Sequence, residues 1–287
     1  MWRYYAFRIV GFTLPYLPKQ AGYLLGRLIA DVVYLLCPSL KATIRDNVRH
    51  VLGRDVDRVA LEQTVRGVLR TVARNYVDLI RLRRMKLSDI EGCVTIHGWH
   101  NVEDALKRGK GIIFVTAHLG SFDLAAQILA VRSIKTTVPV EPLEPPSLLR
   151  HVTHLRSNKG LNFVPARPGI LEVLMGSLRS GEAVVLACDR DISKHGLKSS
   201  FFGEETTLPA EAVRIAMRTG AAVIPAFNLR REDGGYEAYF EPALDIIPGR
   251  NGAVARNMER VVQVMEKYVR RCPEQWVVLS PVWTNGR

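Results

Sequence analysis

GIIFVTAHLGSFD, residues 111–123, decides how this chain is read. An apolar run ending at Ala117 has the composition of a strand buried on both faces of a parallel sheet. Polar side chains arrive where the run stops, at His118, Ser121 and Asp123, and a helical pattern of Leu124, Ile128 and Leu129 begins there. The carboxyl end of a strand followed by the amino end of a helix is where open α/β sheets place their chemistry. On one continuous helix, a five-residue gap would turn the two side chains about 140° apart. His118 is therefore expected in the loop, Ser121 near the N-cap, and Asp123 in the first turn, where its carboxylate can fold back to the imidazole. Taken alone, this histidine and aspartate fit a structural closure of the strand as well as a reactive pair.

Outward from this stretch, strands and helices alternate. Strands are expected at 93–98, 111–117, 136–141, 162–166, 183–189, 221–227 and 237–244. Helices are expected at 100–108, 121–132, 146–159, 169–180, 209–219 and 252–271. The alternation predicts an α/β fold, with a single mostly parallel central sheet flanked by helices. Polar residues again gather at strand ends: Glu141 ends one strand, and Asp189, Arg190 and Asp191 end another. A long loop, 192–208, carries the Phe201-Phe202 pair and then Gly203-Glu204; its aromatic content argues against disorder.

The first third differs. Of the net charge of +12, residues 1–86 hold +10, from 16 Lys/Arg against 6 Asp/Glu. This asymmetry predicts an anionic partner. No helix-turn-helix, zinc-finger or RNA-binding signature is present, so nucleic acid is set aside in favour of a membrane surface with anionic lipids. Two apolar segments, 1–14 and 21–37, are punctuated by Pro15, Pro18 and Pro38. The second is marginal in length for spanning and carries Arg27 and Asp31, four apart and able to pair. Both are expected to lie in the interface or half-buried, with a helical hairpin packed on the protein's own core as the other reading. From 41 to 86, arginines recur at four-residue spacing on an amphipathic pattern; a solvated face is the ordinary explanation and phosphate contact the sharper one. The division expected is a basic helical docking region over 1–86 and an α/β domain over 87–287. Cys37, Cys93, Cys188 and Cys272 are widely spaced, which indicates thiols rather than a zinc cluster or disulfide framework.

The chain resembles the bacterial membrane acyltransferases of the lysophospholipid and glycerolipid superfamily. Within it, the branch is that of the lipid A lauroyl and myristoyl acyltransferases and the phosphatidylinositol mannoside acyltransferase. HLGSFD carries the H-x-x-x-x-D box at His118 and Asp123; Glu141 and Arg156 match a second box. Asp189-Arg190-Asp191 with FFGEETTLP matches a third, RTGAAVIPAF a fourth, and PEQWVVLSPVW at 273–283 a carboxyl-terminal signature. The resemblance implies a glycerol-3-phosphate acyltransferase-like fold. It also implies transfer of a fatty acyl chain from acyl-CoA or acyl carrier protein to a hydroxyl of a glycolipid or lysophospholipid, with no cofactor beyond that thioester and no metal. His118 is then the general base, with Glu204 and Asp123 as its carboxylate candidates. Arg156, oriented by Glu141, would hold the acceptor, and Asp189, Arg190, Phe201, Phe202 and Gly203 join the substrate-binding set. A helix amino end at 121–132 would offer amides to the oxyanion. The place implied is the cytoplasmic face of a bacterial membrane, monotopic or with one N-terminal membrane helix. An esterase or thioesterase using water as acceptor is the alternative.

Overall fold

The computed structural model describes residues 14–142, 145–192, 194–249 and 252–283. The apolar segment expected over 1–14 lies outside the described residues, apart from Leu14, which opens a short 3-10 turn to Tyr16. Seven strands form the central sheet: β1 (Val94–His97), β2 (Ile112–Thr116), β3 (Thr136–Val140), β4 (Asn162–Pro165), β5 (Ala183–Ala187), β8 (Ala222–Arg230) and β9 (Tyr236–Phe240). Between them in sequence, β6 (Leu197–Phe201) and β7 (Glu204–Leu208) make a separate antiparallel hairpin.

The order is β1-β9-β8-β2-β5-β3-β4. All pairings are parallel except β8 with β9, so the sheet is mostly parallel, as the alternating sequence predicts. The chain leaves β2 for β3 on one side and reaches β8 on the other, so the order reverses beside β2. That crevice, at the carboxyl ends of the strands, is the usual ligand position of such sheets.

β2 shows why its sequence is continuously apolar. Ile113, Val115, Ala117 and Leu119 belong to one core, packed with α9 (Ile170–Arg179), α10 (Glu211–Thr219) and α11 (Ala253–Arg271). Ile112 and Phe114 face the opposite core, beneath α4 (Leu87–Cys93), α5 (Trp99–Lys107), α6 (Phe122–Ala125), α7 (Gln127–Val131) and α8 (Pro146–Ser157). A strand covered on both faces has no solvent side on which to alternate.

The amino-terminal part is three helices: α1 (Lys19–Leu36), α2 (Pro38–Leu52) and α3 (Arg58–Leu82). Gly22, Gly26 and Ala30 are the buried positions of α1. They let it approach α3 closely: a Cβ on Gly22 would stand 3.1 Å from Val77, and one on Gly26 3.4 Å from Ala73. α3 then serves both parts, with Leu61, Val65, Val68 and Leu69 in the helical cluster and Leu82 under the sheet. The other face of α1 has no protein partner among the described residues. Leu24, Leu28, Ile29, Val32, Leu35 and Leu36 are each more than half exposed.

Among the described residues, no single helix is long and apolar enough to cross a membrane; α1 and α2 meet that test only as a pair, bent by 98° at Cys37. Asp31 is held by two bonds from Arg70, at 3.0 and 2.8 Å, rather than by Arg27. Two further expectations need correction. The segment 192–208 is largely a hairpin rather than a loop, because Phe202 and Gly203, at φ 51° and 80°, turn the chain tightly between β6 and β7. The helix expected over 121–132 is broken into α6 and α7 at Ala126.

Candidate active site

The site begins with strand register. Thr116 of β2 pairs with Ala187 of β5, so His118 and Asp189, each two residues further on, emerge side by side. His118 Nδ1 lies 2.8 Å from Asp189 Oδ1. The backbone N–H of His118 donates to Oδ2 at 2.8 Å, and the indole N–H of Trp276 donates to the same oxygen at 2.8 Å. The Asp189 side chain is wholly buried, whereas the imidazole is 25% exposed. Burial pushes the Asp189 carboxyl up, but the His118 charge and the bonds from His118 and Trp276 outweigh it and hold the group below the usual carboxylate range. An ionised carboxylate only accepts hydrogen bonds, so Nδ1 must carry a proton and Nε2 of a neutral ring keeps its lone pair. This is the arrangement of a general base whose tautomer is fixed from behind.

The loop after β2 is clamped on several sides. The carboxyl-terminal segment pairs with it: Val277 N–H donates to His118 O at 2.8 Å, and Gly120 N–H to Gln275 O at 2.9 Å. Gly120 has φ 62°, and a Cβ there would stand 2.4 Å from Asn228 O, so the position requires glycine. Asn75 of α3 donates to Gly120 O at 2.7 Å. Ser121 occupies the N-cap of α6 but makes no cap bond; its hydroxyl donates to buried Asp78 of α3 at 2.8 Å. Asp78 also accepts from Arg230 and from Tyr23 of α1, each at 2.6 Å, and Arg230 bonds Tyr23 and Tyr236. Burial and the Asp78 charge push the Tyr23 phenol up to about 12. The outer helix α1 and the histidine loop therefore share one buried polar network.

The carboxylates chosen from sequence as partners of His118 are committed elsewhere. Asp123 is ion-paired with Arg156, whose Nε stands 2.7 Å from Oδ1 and whose Nη2 donates to Oδ2 at 3.1 Å. Glu204 receives Arg54 Nη2 at 2.7 Å and lies 3.2 Å from His50 Nε2; the bond from Arg54 holds its carboxyl low. The reason is topological. Glu204 opens β7 on the hairpin, whereas Asp189 leaves the strand adjacent to β2. Glu141 pairs not with Arg156 but with Arg190, at 2.6 Å. Two cross-linked pairs, Asp123–Arg156 and Glu141–Arg190, thus come from the strand ends and helices around His118. Asp191 caps its own turn, accepting from Lys194 and Gly196 N–H.

Phe201 and Phe202 are buried in an aromatic cluster with Trp276 and Trp283. Gly203 is the exposed second residue of the turn. Glu266 accepts the Phe202 N–H at 2.6 Å and so supports the turn. Trp276 is a residue of the site that sequence reasoning misses. Its position in PEQWVV gave no sign that its N–H would reach a strand end 87 residues earlier.

Residues 1–285 match the family described as bacterial lipid A biosynthesis acyltransferase. The phosphatidylinositol mannoside acyltransferase of Mycobacterium tuberculosis (strain CDC 1551 / Oshkosh) is 29% identical over 84% of this chain and 76% of its own length. That of Mycolicibacterium smegmatis is 28% identical over 84% and 78%. The lipid A biosynthesis palmitoleoyltransferase of Escherichia coli K12 is 24% identical over 63% and 58%. With a family match along nearly its whole length, the chain belongs to the bacterial lipid A biosynthesis acyltransferase family and is an acyltransferase.

Proposed function

We propose that this enzyme moves a fatty acyl chain from acyl-CoA or acyl carrier protein to a hydroxyl of a glycolipid or lysophospholipid, phosphatidylinositol mannoside-like or lipid A-like, with His118 as general base. The observation that carries the reading is the His118–Asp189 pair at the strand ends beside the switch point. The acceptor hydroxyl gives its proton to Nε2 as its oxygen attacks the thioester carbonyl carbon. Asp189 stabilises the imidazolium that forms. Collapse of the tetrahedral intermediate breaks the C–S bond, and the imidazolium returns its proton to the departing sulfur. No covalent enzyme intermediate is required.

Arg156 and Arg190, each paired with a carboxylate near the base, are suited to hold the phosphate or sugar of an acceptor. The exposed apolar face of α1, on a strongly basic amino-terminal third, supports docking on an anionic membrane. In this reading the enzyme works at the cytoplasmic face of a bacterial membrane, with α1 lying in the interface.

The test is His118→Ala, assayed with labelled acyl-CoA or acyl carrier protein and a bacterial lipid extract. Transfer should fall on the order of 10⁴-fold while the melting temperature is kept. Full retention of transfer removes His118 from the mechanism. Thioester hydrolysis by the unaltered enzyme at the same rate with and without lipid would favour water as the acceptor.

A further inference from the structure

Away from His118, the turn between α2 and α3 closes over a cavity of about 720 Å³ lined by Arg45, Arg49, His50, Arg54 and Arg58. Two carboxylates also line it, and each is already engaged. Glu62 pairs with Arg45, and Glu204 with Arg54 and His50. Arg49 and Arg58 have no ion-pair partner among the described residues, and both are exposed. Four arginines against two carboxylates leave the cavity with an excess of +2 before any proton on His50 is counted.

The wall is built rather than incidental. The His50 ring stacks on Trp283 at 3.9 Å and 3°, and its Nδ1 bonds Asp46 O at 2.7 Å, which fixes Nε2 toward the cavity. Glu204 is held by Arg54, whose Nε and Nη2 both donate to Oε1, at 3.1 and 2.7 Å; guanidinium groups make such charge-assisted bonds to carboxylate and phosphate oxygens alike. Asn47, two residues before Arg49 and buried, ties α2 to Val278, Ser280 and Val282, so Arg45 and Arg49 rise from an anchored helix. The cavity also adjoins the end of α1, because Tyr34 donates to Glu62.

We infer that this cavity is a phosphate-binding site, in which Arg49 and Arg58 take a dianionic phosphate beside the Arg54–Glu204–His50 cluster. Two sources supply that chemistry: the phosphates of a soluble nucleotide thioester donor, and an anionic lipid headgroup at the membrane. The site does not depend on catalysis by His118, since binding is read without turnover.

The experiment compares the full chain with the Arg49→Ala/Arg58→Ala variant. One arm uses adenosine 3′,5′-bisphosphate by calorimetry, and the other phosphatidic acid vesicles, with phosphatidylcholine as reference, by sedimentation. Loss of at least about tenfold in nucleotide affinity supports the site with the donor as source. The same loss on phosphatidic acid vesicles supports it with the lipid headgroup as source, and loss in both arms supports it for either. Arg214→Ala/Arg218→Ala, on exposed arginines outside the cavity, serves as the charge-matched control. Unchanged binding in both arms, no binding by the unaltered chain, or an equal loss in the control overturns the proposal.

Discussion

Asp189 and Glu204 stand fifteen residues apart, and the fold treats them in opposite ways. Asp189 has no exposed side-chain surface and meets three donors, two on His118 and one on Trp276. Glu204 keeps 34% of its side chain in solvent and is held by Arg54, itself 82% exposed, and by His50. Burying a carboxylate is costly unless each lone pair is engaged, so a fully satisfied buried one marks a place where geometry is fixed. An exposed carboxylate on a flexible cation is free to exchange partners. The contrast separates a carboxylate that fixes the His118 ring from one held by an exposed cation at a surface cavity.

The sharpest way to break this contrast is Asp189→Asn. The amide keeps the shape and can still accept from Trp276, but an NH₂ facing Nδ1 selects the wrong tautomer of His118. Transfer should fall about 10³- to 10⁴-fold, measured as kcat on a lipid acceptor with the melting temperature monitored. The substitution also has a pH signature. The carboxyl lies below its ordinary value of 3.8 in the folded chain. Its contribution to stability is therefore complete above that value and is lost as pH falls through the lower folded one. The stability gap between the two proteins should be widest near neutrality and narrow in acid; a gap independent of pH would show that the carboxylate charge is not what matters.

Asp78 belongs with Asp189 rather than with Glu204, since it is buried and bonded to Arg230, Tyr23 and Ser121. Asp78→Ala leaves the Arg230 charge buried without its counterion. Unfolding in urea should show a loss of about 3–5 kcal/mol. A loss below about 1 kcal/mol would place this network with the exposed pairs, despite its depth.

The sequence resolved the sheet well where covering forced the pattern. β2 and β5 are apolar throughout because both faces are packed, and their ends are marked by the first polar residues. It also brought out His118, because a histidine directly after such a strand is conspicuous. The partner was harder, for a physical reason. Adjacency of β2 and β5 is set by crossover connections, and nothing local to residues 111–123 states which strand lies alongside. Proximity in sequence favoured Asp123, and resemblance favoured Glu204; register delivered Asp189. The hairpin of β6 and β7 was hidden by its polar composition, LKSS and EETT, and by a turn with Phe202 rather than the usual Asn or Gly at positive φ. Trp276 was hidden because an indole reads as packing until its N–H is seen to have a target.

Glu204→Gln is the smallest perturbation and the one that sharpens the contrast most cleanly. The change removes the charge that Arg54 and His50 share but leaves the hairpin intact, since the side chain is not part of the turn. With Asp189 still in place behind His118, kcat should change by less than about threefold, because an exposed pair contributes under ~1 kcal/mol. Phosphate binding in the neighbouring cavity should strengthen, since one of the two carboxylates that offset its arginines is gone. Both readings come from one variant: kcat from acyl transfer, and affinity from calorimetry with adenosine 3′,5′-bisphosphate. A hundredfold fall in kcat would instead make Glu204 a working partner of the base, reached through a rearrangement of the hairpin on substrate binding. The difference between the two carboxylates would then be one of state rather than of role.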